Sequence, residues 1–221
     1  AVRAFLDDFV GRLKDYEGML TRNPIWMSRL KGIGILEAEE AIGLGVTGPM
    51  LRAAGVPFDL RKARPYSSYD HFDFDIPTAT EADSYARYHV RMREMEQSMR
   101  IVEQALNKLP DGPFRTEDRK VAPPPREEID LSMESLIHHF KLFTEGYKPP
   151  VGDVYGMAEN PKGIMGFYLV SDGSAVPYRL HIRGSSFVNL QATDHMARGH
   201  LLADLITIIG TIDIVLGDVD R

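Results

Sequence analysis

Residues 78–109 read TATEADSYARYHVRMREMEQSMRIVEQALNKL, and this stretch decides the fold. Apolar or aromatic side chains recur at Tyr85, Tyr88, Met92, Met95, Met99, Val102, Leu106 and Leu109, in alternating steps of three and four. That period lines one face of an α-helix. Thr78-Ala79-Thr80-Glu81 fits a capping box at the start. Pro110-Asp111-Gly112-Pro113 stops the pattern. About 30 residues at 1.5 Å each make a rod of roughly 45 Å. A coiled coil and a long helix laid over a bundle core both fit such a stripe. The chain offers no second heptad segment of similar length, which favours the bundle helix, the spine of the fold. Its buried face is expected to hold Met92, Met95, Met99 and Val102, and its exposed face Arg93, Glu96, Gln97 and Arg100.

Upstream, residues 3–20 are amphipathic and read as a helix that ends before Asn23-Pro24. Residues 31–57 are punctuated by Gly32, Gly34, Gly43, Gly45, Gly48 and Gly55, room for one or two short helices. Residues 58–77 alternate Phe and Asp and read as a short strand or an extended loop. Downstream, five prolines between residues 110 and 129 mark an exposed connector. A helix over 131–145 carries Met133, Leu136, Ile137, Phe140 and Phe143 on one face, with Gly146 as its cap. Residues 151–183 hold strand-like runs around the turn Ser171-Asp172-Gly173-Ser174, a small antiparallel sheet. A strongly apolar helix over 199–212 follows. The fold class expected is α+β and mostly helical. Its organisation would be helical over 1–146, sheet over 151–183, and C-terminal helix and tail over 196–221. No repeat stands out.

Composition narrows the chemistry. The 221 residues carry 26 Lys plus Arg against 32 Asp plus Glu, a formal net charge of −6, which argues against a nucleic-acid partner. There is no cysteine, so disulfides, cysteine-ligated zinc and iron–sulfur clusters held by this chain's own thiolates are excluded. The longest apolar run, residues 201–216, is interrupted by Asp204 and Asp213 and falls short of a membrane span. Gly32-Ile33-Gly34 lacks the third glycine of a dinucleotide fingerprint, and no GKS or GKT follows the other glycines. The seven histidines form no HExxH pair; His195 and His200, five apart, do not share a helix face. No metal site and no nucleotide site is expected. Asp213 lies in the apolar run 208–216, where a carboxyl is desolvated unless a base or donors pair with it. A bare helix-terminal Asp is the simpler alternative.

The tail Ile212-Asp213-Ile214-Val215-Leu216-Gly217-Asp218-Val219-Asp220-Arg221 resembles the C-terminus of the quinone-site subunit of respiratory complex I, the D subunit of the bacterial enzyme. Thr47 to Val56, Asp59-Leu60-Arg61-Lys62 with Pro65-Tyr66-Ser67-Ser68-Tyr69, Arg91 to Met95, Val170 to Ser174 and Ser186 to Gln191 are similar to the same family, in order. That family is related to the large subunit of nickel–iron hydrogenases, which end in D-P-C-x-x-C-x-x-H/R. Here Val215 and Asp218 stand where the two cysteines would, so the soft thiolate ligands are gone. Ile214 stands at the proline position, Gly184-Ser185 where Ala-Pro is expected, and Ile164-Met165 where Glu-Leu is usual. The likeness covers only the C-terminal half of the subunit, without the His and Tyr proposed to bind the quinone headgroup.

The resemblance implies a hydrogenase-large-subunit-like fold and a share in NADH:quinone oxidoreductase, which couples electron transfer to ion translocation. The isolated chain would be inactive. Val215 and Asp218 would line the quinone chamber, and Asp213 would act catalytically in proton delivery. The chain would bind no cofactor; quinone would be the substrate and NAD would bind another subunit. The implied partners are other complex I subunits, including the one holding the adjacent iron–sulfur cluster and the membrane arm. The implied location is peripheral, on the cytoplasmic or matrix side. A non-enzymatic scaffold and a hydrogenase relative are the alternatives.

Overall fold

The computed structural model describes residues 1–220, so Arg221, the last position of the tail motif, lies outside the described residues. About half the chain is helical, with one small antiparallel sheet, which is the α+β class that the periodicities predict. The chain divides into two compact units, one formed by residues 1–108, 157–166 and the segment from Arg183 onward, the other by residues 109–156 and 167–182.

In the first unit, α1 (Val2–Tyr16) widens into a π-helical turn over Glu17–Thr21. Asn23 then caps α2 (Pro24–Leu30), its side-chain oxygen accepting the Ile25 N–H at 3.0 Å. Pro24 therefore starts a helix as well as ending one. Two short helices follow in the glycine-punctuated stretch, α3 (Ala38–Gly43) and α4 (Pro49–Ala53). After α5 (Leu60–Ala63), a 3-10 turn over Tyr69–His71 leads into an extended run with no strand pairing among the described residues, so residues 58–77 are the loop alternative.

The long helix is α6 (Ser84–Lys108), packed against α1, α2, α4 and the later helix α11 (Leu202–Ile212). It is the spine, but it begins six residues after the start of the predicted capping box. Ala82 has φ +55, which breaks the helix there, and Asp83 caps it instead, Oδ1 accepting the Ala86 N–H at 2.7 Å. The buried face is also rotated from the predicted stripe. Ala86, Arg87, Val90 and Met92 are buried, Met95 and Met99 only half-buried, and Val102 is 38% exposed. The stripe places Val102 inside, but after Met92 every residue of α6 is half-buried or exposed.

The second unit holds α7 (Arg126–Ile129) and α8 (Met133–Thr144), the latter capped by Ser132. Gly146 takes φ +82 beyond α8, as its predicted cap role requires. The apolar face of α8 is uncovered in the chain alone, with Phe140 64% and Phe143 68% exposed. The sheet has order β1-β2-β3, built from β1 (Gly152–Asn160), β2 (Gly163–Ser171) and β3 (Arg179–Arg183).

The chain then returns to the first unit through α9 (Ser185–Leu190), α10 (Ala192–Ala197), α11 and α12 (Leu216–Val219). Ile208 and Ile212 of α11 join Leu36, Val46, Met50 and Met196 in the main core. The opposite face of α11, with Leu202 and Ile206, is exposed, so the apolar run 199–212 is only half used by the chain's own core. Gly34 meets α11 so closely that a Cβ would lie 2.7 Å from Ile208 Cγ1. Among the described residues no helix is long and apolar enough to cross a membrane.

Two outcomes test this packing. Ile208→Ala should cost about 2–5 kcal/mol of unfolding free energy and Val102→Ala about 1 kcal/mol or less, read by denaturant titration. Replacing Phe140 and Phe143 by Glu should cut hydrophobic-dye binding by the chain while leaving its melting temperature within a few degrees, about the spread of neutral surface changes.

Candidate functional site

The site is organised by a guanidinium that the sequence does not advertise. Arg52, in α4, is 1% exposed. Its Nε donates to Glu94 Oε1 of α6 at 2.6 Å, and its Nη1 donates to Glu159 Oε1 of β1 at 2.9 Å and to the Phe58 carbonyl at 3.0 Å. Asp59 Oδ2 lies 3.7 Å from the same Nη1 and is itself gripped by Arg61, whose Nη2 donates at 2.6 Å. Glu159 Oε2 also accepts the Leu60 N–H, at 3.3 Å. Two arginines thus answer three buried or half-buried carboxylates. Burial pushes Glu94 above the usual carboxylate range despite Arg52 beside it. Burial also pushes Asp59 up, but Arg61 and Arg52 outweigh it and leave that carboxyl below its ordinary value.

The β1–β2 turn that carries Glu159 is seated by close backbone contact. Gly48, with φ +74, leads into α4, and a Cβ there would lie 2.5 Å from Gly163 Cα. Thr47 Oγ1 accepts the Ile164 N–H at 3.0 Å, and Asn189 of α9 donates to the Lys162 carbonyl at 2.9 Å. The glycine pair lets two backbones touch where any side chain would hold them apart.

Asp213 sits just beyond α11 with φ +60, a left-handed turn that Asp tolerates better than most residues. It is not a bare helix-terminal acid. Its Oδ2 is in close contact with Lys162 Nζ and stands 3.6 Å from Arg91 Nε of α6. A carboxylate is unfavourable at the negative end of a helix, and these two cations offset that. Arg91 also caps α11, its Nη2 donating to the Ile212 carbonyl at 3.3 Å. Burial lowers the Arg91 guanidinium below its ordinary range, with Asp213 opposing. One helical turn back, Arg87 is fully buried. It donates to the Gly34 carbonyl at 2.9 Å and to the Ala82 carbonyl at 3.2 Å, and burial lowers it to about 10.

Two clefts of about 500 Å³ each meet at this junction. One is largely apolar and is lined by Trp26, Leu30, Tyr88, Met92 and Met95, with Trp26 and Tyr88 edge to face at 5.7 Å. The other is charged and is lined by Arg52, Arg61, Glu94 and Glu159. Arg91, Met95 and Asp213 border both. An amphipathic ligand of modest size would find an apolar seat and polar groups at one end.

The other two predicted positions lie further along the tail. Val215 is 48% exposed, and its N–H donates to Ser186 Oγ at 3.3 Å. Asp218 is buried, and its Oδ2 accepts the Ser186 N–H at 2.7 Å, at the start of α9. Sequence reasoning singles out Asp213 but misses Arg52, Arg91, Glu94, Glu159 and Lys162. Arg52, Arg91 and Glu94 lie within stretches quoted for the resemblance, yet nothing in their spacing says that they converge. Glu159 and Lys162 carry no signal beyond a turn at Pro161.

These features define a class: a mostly helical α+β protein whose C-terminal tail closes on a charged junction between two clefts. The family described as "Respiratory-chain NADH dehydrogenase, 49 Kd subunit" matches residues 1–221. The chain belongs to that 49 kDa subunit family. It is 58% identical over 224 residues to the second of the NADH-quinone oxidoreductase D subunits of Roseiflexus sp. (strain RS-1), covering all of this chain and 54% of the relative. It is 53% identical over 220 residues to the NADH-quinone oxidoreductase D subunit of Anaplasma marginale, covering all of this chain and 55% of that protein. Against the mitochondrial NADH-ubiquinone oxidoreductase 49 kDa subunit of Neurospora crassa it is 53% identical over 213 residues, 96% of this chain and 45% of the relative. The chain spans about half the length of the curated relatives it matches.

Removing the hub charge should be costly. Arg52→Met strands Glu94 and Glu159 and should destabilise by about 3–5 kcal/mol at neutral pH, measured by denaturant unfolding. Asp59 contributes stability that is present above its unfolded value, about 3.9, and is lost as pH falls through its lower folded value. Asp59→Asn should therefore flatten the loss of stability on acidification below about pH 4, a difference readable from melting temperatures across that range.

Proposed function

We propose that this chain forms part of the wall of the quinone chamber in an NADH:quinone oxidoreductase. Its role is in electron transfer from NADH to quinone coupled to ion translocation. The observation that carries the reading is the position of Asp213, a carboxylate at the meeting point of an apolar cleft and a charged one. A quinone needs that combination. Its ring and prenyl tail favour Trp26, Met92 and Met95, while its oxygens become polar and take up protons on reduction. Reduction to the quinol consumes two electrons and two protons. In this reading Asp213 passes one proton, and Lys162 and Arg91 stabilise the carboxylate that remains. Val215 extends the wall, and Asp218 holds the tail against α9 so that both keep their places.

Family membership supports the reading, since the relatives are named as subunits of NADH-quinone and NADH-ubiquinone oxidoreductases. In this proposal the chain binds no cofactor of its own. Electrons arrive from an iron–sulfur cluster on a neighbouring subunit, NAD binds elsewhere, and the membrane arm lies beside the chamber. The subunit is peripheral, on the cytoplasmic or matrix side.

The test is made in the assembled complex. Val215→Met should change sensitivity to quinone-site inhibitors while assembly persists. Asp213→Asn should lower quinone reductase turnover by about tenfold or more, and leave electron transfer to an artificial upstream acceptor unchanged. Wild-type behaviour of both variants in both assays would make the tail purely structural.

A further inference from the structure

Among the described residues Asp213 has two cationic neighbours, and one of them grips it. Lys162 Nζ holds its Oδ2 in close contact. Arg91 Nε stands 3.6 Å from the same oxygen, beyond hydrogen-bond reach. That N–H is buried and has no acceptor among the described residues. Buried donors are paired in almost every folded protein, so an open one marks an arrangement held by something else.

What holds it is visible on both sides. The Arg91 guanidinium is anchored by its other nitrogens, Nη1 on the Arg87 carbonyl at 3.4 Å and Nη2 on the Ile212 carbonyl at 3.3 Å. Lys162 projects from a fixed turn. Its N–H donates to Asn160 Oδ1 at 2.8 Å, and its carbonyl accepts from Asn189 at 2.9 Å. Asn160 Oδ1 in turn accepts from Ser185 Oγ at 3.2 Å. The movable member is Asp213, with its side chain 41% exposed. The other cations of the adjoining cleft do not compete for it, because Arg52 is committed to Glu94 and Glu159 and Arg61 to Asp59.

We propose that Lys162 is a positioning residue, holding the Asp213 carboxylate at the junction of the two clefts and off the Arg91 Nε–H. This rests on the reading of Asp213 as a quinone-chamber group. With Lys162 in place, the carboxylate faces the clefts and Arg91 keeps an open donor. Without it, a side-chain rotation closes the carboxylate onto Arg91, fills the open donor and ties the acid up against the guanidinium at the cleft border.

The experiment compares Lys162→Met, Lys162→Arg and Asp213→Asn in the assembled complex. NADH oxidation is measured with a short-chain quinone and with an artificial upstream acceptor, and the Lys162→Met complex is imaged by cryo-electron microscopy. Lys162→Met should bring Asp213 to about 3 Å from Arg91 Nε. It should lower kcat with quinone by about tenfold at unchanged KM and unchanged acceptor rate. Lys162→Arg should recover the rate to within about twofold, since it keeps the charge. A parallel fall in both rates reads as lost assembly; Lys162→Gln then replaces the Met variant, and the same fall there counts against a positioning role. If Asp213→Asn is slow while Lys162→Met matches wild type, the positioning role is overturned and the chamber reading stands. If Asp213→Asn is also silent, the chamber reading fails, and an Asp213 carboxylate that has not moved in the Lys162→Met map overturns the positioning role as well.

Discussion

A fully buried guanidinium must be answered on every side, and Arg52 sets that demand for the whole charged half of the site. Its partners come from three places far apart in the chain: the Phe58–Asp59 loop, Glu94 in the long helix, and Glu159 in the first strand. None of these can shift without leaving a charge unpaired in a desolvated setting, which is far more costly than losing a surface pair. The loop, the helix and the turn are therefore fixed relative to α4 by electrostatics as much as by packing. Arg87 imposes a similar demand on the other flank, but answers it with backbone carbonyls and hydroxyls and not with acids. That difference explains why burial lowers Arg87 while the three carboxylates raise Arg52.

The second constraint is steric. The Gly48–Gly163 contact and the Gly34–Ile208 contact are places where the chain crosses itself with no room for a Cβ. The first seats the β1–β2 turn, and the second seats α11. Asp213 lies where the consequences of both meet: α11 delivers it and the turn delivers Lys162. Ser186 then ties the outgoing tail down through its hydroxyl and its N–H. The acid at the junction thus depends on two glycine contacts and one buried arginine, none of which touches it.

The long helix shows how much of this is legible in the residues. Its three-four period is plain, and the spine role follows from it. Its start is not, because the Thr78–Glu81 box competes locally with Asp83. The left-handed Ala82, bonded to Ala53 and Leu36 across the fold, decides in favour of Asp83. Its buried face escapes the pattern for a related reason. Arg87 reads as surface by hydropathy, yet it is buried with its guanidinium answered by the Ala82 carbonyl just before the helix and the Gly34 carbonyl from across the fold. The methionines read as core, and of Met92, Met95 and Met99 only Met92 is fully covered. The α8 helix is different: Ser132 and Gly146 bound it by signals that are local, and the structure keeps both.

Helix periods, turns, the absence of any thiol ligand and, through the motifs, the family are all written in residue type or in residues near one another along the chain. That Arg52 faces Glu94 and Glu159, that Lys162 rather than solvent meets Asp213, and that an apolar cleft and a charged one share that acid are settled only by the folded chain. Those pairings join positions dozens of residues apart. A hydropathy pattern records how often a side chain turns inward, but not which charge waits for it there.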